Sequence, residues 1–248
     1  PSGQTVSSTD ESHYWTDHFN QDAVSHGGDL IEGKKRSKAQ LLQVSMDELE
    51  SEEVKLLPTA RIVLEHYAVA DCLALHFGAL TRAAARRLFG WVFVAAMGFN
   101  VFHSLPHPHV PETPTLFERA LGIPWPLVVF LLASLVASLW VYRRTDEAGH
   151  QNRHQDYRAL AEALRVQFFW RVAGISDNAV DHYLRKQRGA LDWIRNALRA
   201  CDIQAQGQPN TQSTTTSAGG LAVAADRWVA EQQEYYGARA RREQVKLE

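Results

Sequence analysis

Apolar residues are unevenly distributed along this chain of 248 residues. The longest apolar runs lie between Leu88 and Tyr142, and the rest is more polar. The second run, Ala120 to Tyr142, holds about 23 residues without a charge, long enough to cross a bilayer core with some tilt. Pro124 and Pro126 fall near its start, where proline harms a helix least. In mid-span the only polar side chains are Ser134 and Ser138, so the polar stripe of a globular helix is missing. The first run, Leu88 to Leu105, has about 18 residues, near the lower limit for a span. Asn100 and His103 interrupt it. The pattern predicts two transmembrane helices, over about 88–105 and 120–142, that form a short hairpin.

The flanks set the expected orientation. Arg82, Arg86 and Arg87 precede the first span, and Arg143 and Arg144 follow the second. The intervening loop, 106–119, carries one arginine and two glutamates. By the positive-inside rule both termini are expected on the cytoplasmic side of an inner membrane. Trp91, Trp125, Trp140 and Tyr142 lie near the predicted ends, where amphipathic rings prefer the headgroup level.

Outside the spans the periodicity is helical. Pro58 opens a stretch in which Ile62, His66, Val69, Ala70, Leu73, Ala74, Phe77 and Leu80 recur at three- and four-residue spacing. Nothing breaks it before the first span, so it reads as a long cytoplasmic stalk helix. After the membrane, Tyr157, Leu160, Ala161, Leu164, Phe168 and Val172 make one apolar face, which Gly174 is expected to end. Ser176 is the expected N-cap of the next helix, with Val180, Tyr183, Leu184, Leu191, Ile194 and Leu198 as its buried stripe. The last helix places Leu221, Ala225, Trp228, Val229, Gln232 and Tyr236 on one face. Residues 1–57 are rich in Ser, Asp, Glu and His without sustained period, and read as a mostly disordered linker. The expected organisation is therefore all-α: the linker, a two-transmembrane helical domain over 58–205, a flexible linker over 206–220, and a C-terminal cytoplasmic helix over 221–248. The sequence opens on Pro1, so the expectation is of a fragment or processed product.

Composition adds little. Hydrophobic residues make up 45% and charged residues 22%, and the net charge is −2, so nothing points to nucleic acid. Cys72 and Cys201 fit neither zinc spacing nor a CxxC motif, and read as small apolar residues on helix faces. His103, His107 and His109 could bind zinc or copper together, but no established site spacing accompanies them, and no metal is expected. His150, His154, Asp156, Glu162 and Arg165 could supply an acid and a base. Without a nucleophile, glycine loop or metal motif they read as a charged helix surface, so no cofactor and no enzymatic activity are expected. Ser134 and Ser138 share a face with Ala133 and Ala137 alongside, a spacing that lets helices approach closely. A packing seam is one reading of Asn100, His103 and these four residues. A wet pore lining in an oligomer is the other.

Two segments add a resemblance. Tyr157-Arg158-Ala-Leu-Ala-Glu162-Ala-Leu-Arg165 resembles the helix after the second span in the SLATT family, two-transmembrane effector domains associated with SMODS nucleotidyltransferases and SLOG sensors. Arg227-Trp228-Val-Ala-Glu231-Gln232-Gln-Glu-Tyr235-Tyr236 resembles that family's C-terminal helix. The resemblance implies no catalytic residues. It implies a homo-oligomerising effector in prokaryotic antiviral defence and nucleotide signalling, pore-forming or membrane-disrupting when an upstream sensor domain, in cis or in trans, is triggered. A membrane-anchored scaffold that recruits cytoplasmic partners is the alternative.

Overall fold

A computed structural model describes residues 8–28, 30–104, 125–147, 149–183, 192–207 and 217–247. All regular structure among them is helical. The helices are α1 (Ser8–Ser25), α2 (Leu30–Leu42), α3 (Leu49–Lys55), α4 (Pro58–Ser104), α5 (Trp125–Glu147) and α6 (His150–Val172). There follow α7 (Val180–Tyr183), α8 (Asp192–Gln206) and α9 (Ser217–Ala224), then a π-helical turn (Ala225–Ala230) that leads into α10 (Glu231–Leu247). The chain divides into two compact units, residues 1–75 with 155–248, and residues 76–154.

The first unit has a conventional core. Val63, Leu64, Leu73, Tyr157, Leu160 and Phe168 are among its fully buried side chains. Ile194 and Leu198 of α8 and Leu41 and Leu42 of α2 are buried as well. Several polar groups taken inside are paired, which offsets the cost of removing them from water. The Tyr157 hydroxyl donates to Asp22 at 2.5 Å. The Arg171 guanidinium pairs with Asp202 and donates to the Ile175 carbonyl at 2.7 Å. Lys38 is held between Glu53, at 2.9 Å, and Glu65. Burial pulls its ammonium down, but the hydrogen bonds and charges of Glu65 and Glu53 outweigh this and hold it above the ordinary lysine value.

Helix ends follow local chemistry. Gly174 terminates α6 as expected, at φ +79, and Ile175 N–H reaches the Trp170 carbonyl at 2.8 Å across it. Gln43 does the same for α2 at φ 54, a left-handed conformation that only glycine adopts freely. Val44 N–H closes that turn on Ala39 O at 3.0 Å. The cap of α7 is not Ser176 but Asn178, whose side-chain oxygen accepts from Val180 N–H at 2.9 Å.

Three expectations change. Where a mostly disordered linker is expected over 1–57, the described residues form α1, α2 and α3, and Leu30, Ala39, Leu41, Leu42 and Leu49 enter the core. A few well-placed leucines suffice when neighbouring helices supply the rest of the apolar surroundings. The stalk stripe is borne out in its second half and shifted in its first: Ala70, Leu73, Ala74 and Phe77 are buried as expected, Ala60, Val63, Leu64, Tyr67 and Ala68 are buried beside them, Ile62, His66 and Val69 are half-buried, and Leu80 is exposed. At the C-terminus Leu221, Ala225, Val229 and Tyr236 are exposed, and the inward positions are Gly220 and Ala224, with Trp228 half-buried. A Cβ on Gly220 would stand 2.0 Å from the Val172 carbonyl oxygen, so only glycine allows that approach. The 206–220 linker falls mostly outside the described residues, and helix has begun by Ser217.

Candidate functional site

In the second unit α4 and α5 run antiparallel. Gly98 of α4 lies against Phe130 and Leu131 of α5, and nearer the other end Leu88 and Val141 border one cavity. The least exposed positions are Thr81, Ala83, Ala84, Ala85, Leu88 and, two turns on, Ala95 and Gly98 on α4, and Leu131, Ser134, Ala137, Ser138, Val141 and Thr145, at three- and four-residue spacing, on α5. Most are small, which lets two backbones approach closely. A Cβ on Gly98 would stand 2.8 Å from the Phe130 ring. Sequence reading missed this glycine, and its only signal there was a helix-disfavouring residue inside an apolar run.

Six polar side chains in these stretches donate to a carbonyl one turn back on their own helix. Ser134 Oγ donates to Phe130 O at 2.9 Å, and Ser138 Oγ to Ser134 O at 2.8 Å. Thr145 donates to Val141 O and Asn100 to Ala96 O, each at 2.8 Å. Thr81 and Ser104 make the same bond one turn back. A group that must leave water without a neighbouring partner is satisfied in this way. Ser134 is 1% exposed on the α4–α5 seam, while Ala133 points away from it and is exposed, and Ala137 is half-buried. Asn100 is exposed. The side chain of His103, together with His107 and His109, lies outside the described residues.

The remaining faces of the two helices are apolar and uncovered. Phe89, Trp91, Val92, Phe93, Met97 and Phe99 are exposed on α4, and Leu132, Leu135, Val136, Leu139 and Trp140 on α5. Soluble monomers rarely leave such a contiguous surface bare. Among the described residues one helix, over Pro58–Val101, is long and apolar enough to cross a membrane, with just over half of its most apolar window buried.

The polar candidates fall in different places. In the second unit the His150 ring packs near Phe77 at 5.8 Å, and a Cβ on Gly78 would stand 2.8 Å from the His154 imidazole. In the first unit Arg158 and Glu162 are exposed and Asp156 is half-buried. Arg165 donates to Glu231 at 2.7 Å. Thus the segments Tyr157–Arg165 and Arg227–Tyr236 meet. The Trp228 ring stacks on Phe169, centroids 5.5 Å apart and 3° from parallel. Arg227 Nη1 donates to the Leu42 carbonyl at 2.5 Å, and Gln43 Nε2 returns a bond to the Arg227 carbonyl at 3.1 Å. Arg227 and Trp228 sit in the π-helical turn, where a widened backbone reorients side chains. Gln232 is half-buried, and Tyr235 and Tyr236 are exposed and edge to face, centroids 5.3 Å apart. Burial pushes the Cys201 thiol up to about 12, in keeping with a packing role. No group of three or more metal-ligating side chains occurs among the described residues. No family model, curated protein or solved structure matches the chain.

Proposed function

We propose that this chain is a membrane effector domain: α4 and α5 form a two-span hairpin in the inner membrane, both termini are cytoplasmic, and copies associate through the hairpin to perturb the bilayer when an upstream sensor is triggered. The observation that carries the membrane part is the uncovered apolar surface of α4 and α5, joined to hydroxyls and an amide already satisfied within their own helices. The role in defence rests on the two family-like segments, Tyr157–Arg165 and Arg227–Tyr236. The effector needs no catalytic group or cofactor.

One observation favours the second reading, an anchored scaffold. Ser134 and Ser138 spend their hydroxyls on their own backbone and lie on the seam, which suits packing better than lining a wet pore. Replacing the hairpin with an unrelated two-span anchor in cells separates the two. An effector loses its effect on membrane potential after the swap. A scaffold keeps its activity. An unchanged membrane potential when the intact chain is fused to an activated sensor contradicts the effector reading.

A further inference from the structure

A cavity of about 250 Å³ opens between α4 and α5 at the end of the seam. Its walls change character along the helices. Ala84, Ala85, Leu88 and Val141 make one end apolar, and Thr81, Thr145, Gln151 and Asn152 make the other end polar. Gly149, in a left-handed turn at φ +61, is also part of the lining. The cavity begins where the predicted spans end, at Leu88 and Tyr142, so it straddles the expected boundary between acyl chains and headgroups.

The segments that line it are rich in arginine. Arg82, Arg86 and Arg87 follow Thr81 on α4, Arg143 and Arg144 lie between Tyr142 and Thr145 on α5, and Arg153 follows Asn152 on α6. Against these the same stretches hold two acids, Asp146 and Glu147. Two guanidiniums are brought to one turn of α4. Arg82 Nη1 would stand 3.3 Å from a Cβ on Gly78, and Arg153 lies over the Phe77 ring at 5.4 Å. Arg144 lies over Trp140 at 5.3 Å. Among the described residues no carboxylate lines the cavity.

We infer that this cleft binds an anionic phospholipid, a conclusion that rests on the membrane reading above. The phosphate takes hydrogen bonds from the Gln151 and Asn152 amides, with Arg82 and Arg153 nearby, and the acyl chains leave along Leu88 and Val141. A zwitterionic lipid offers the same phosphate but brings a quaternary ammonium into an arginine-rich rim, so it is disfavoured.

The test uses the full chain in uncharged detergent micelles, with bound lipid counted by native mass spectrometry. Dihexanoyl phosphatidylglycerol is titrated against dihexanoyl phosphatidylcholine, and inorganic phosphate is added as competitor. The phosphatidylglycerol is expected to bind more tightly. Ala85→Phe, which fills the apolar end, is expected to abolish the difference. Arg82→Gln with Arg153→Gln leaves the cavity open and is expected to weaken the anionic lipid by about fivefold per arginine, the typical effect of one basic residue near an anionic surface. Equal binding of the two lipids overturns the inference, as does undiminished binding to both variants. Displacement by millimolar phosphate alone overturns it in favour of a free-phosphate site. Flotation of the same protein with vesicles separates the two levels. A chain that floats without lipid preference defeats this inference only, and a chain that remains in the aqueous phase defeats the membrane reading with it.

Discussion

Arg165 on α6 donates to Glu231 on the first turn of α10 at 2.7 Å, across 66 residues of sequence. The bond is partly exposed, so alone it is worth at most about 1 kcal/mol. It has company one turn away, where Trp228 stacks on Phe169 and Arg227 caps the carbonyl end of α2 at Leu42. The π-helical turn supplies both residues. The C-terminal helix is therefore clamped at its start, while Tyr235 and Tyr236 remain exposed beyond the clamp.

Trp228→Ala is expected to cost about 2 kcal/mol, less than a fully buried aromatic because the ring is half-covered. Hydrogen exchange by mass spectrometry should then show faster exchange over residues 217–247 with the rest unchanged. Glu231→Gln should have a much smaller effect. Identical exchange in Trp228→Ala and the parent would show that the stack does not hold the helix.

The Arg171–Asp202 pair makes a sharper demand, because both side chains are about nine-tenths buried. Arg171→Met leaves a carboxylate inside without its partner, at an expected cost of about 3–5 kcal/mol. Replacing both, Arg171→Met with Asp202→Leu, should recover most of the loss. Thermal midpoints of the full chain in micelles give the comparison. A double variant no better than Arg171→Met would contradict this account of the pair.

Lys38 gives a pH prediction. Its folded-state value lies above the ordinary 10.5. A group raised in this way contributes stability that is fully present below the unfolded value and is lost as pH rises through the folded one. Midpoints measured from pH 9 upward should therefore fall faster for the parent than for Lys38→Met at the alkaline end. Parallel curves would exclude a contribution from Lys38.

Gly98 tests the seam. Gly98→Leu should push Phe130 off α4 and lower the thermal midpoint, and Phe130→Ala in the same chain should restore part of it by vacating that space. Failure of the second change to compensate would show that the two positions are independent.

The sequence made some of this legible and hid the rest for physical reasons. Gly174 and the α6 face of Tyr157, Leu160, Ala161, Leu164 and Phe168 were readable, because termination and amphipathicity are local. Asp22 was not, because its partner Tyr157 lies 135 residues away and gives α1 no periodicity of its own. The same holds for Leu30, Leu41 and Leu42, which look sparse in sequence and are buried only because the first unit supplies their neighbours. Ser176 was a fair N-cap by type, but Asn178 two residues on takes the role. For the candidate site, the apolar character of α4 and α5 was plain. That Ser134 and Ser138 bind their own backbone was not, since spacing alone gives the face but not the partner.

The central claim is that the uncovered faces of α4 and α5 meet lipid. Single nitroxide labels at positions 92, 97, 132, 135 and 139, in the full chain reconstituted into vesicles, test it through collision rates with oxygen and with a water-soluble nickel chelate. Lipid contact predicts high oxygen and low nickel accessibility at all five positions. High nickel accessibility at these positions would place both helices in water and contradict the account.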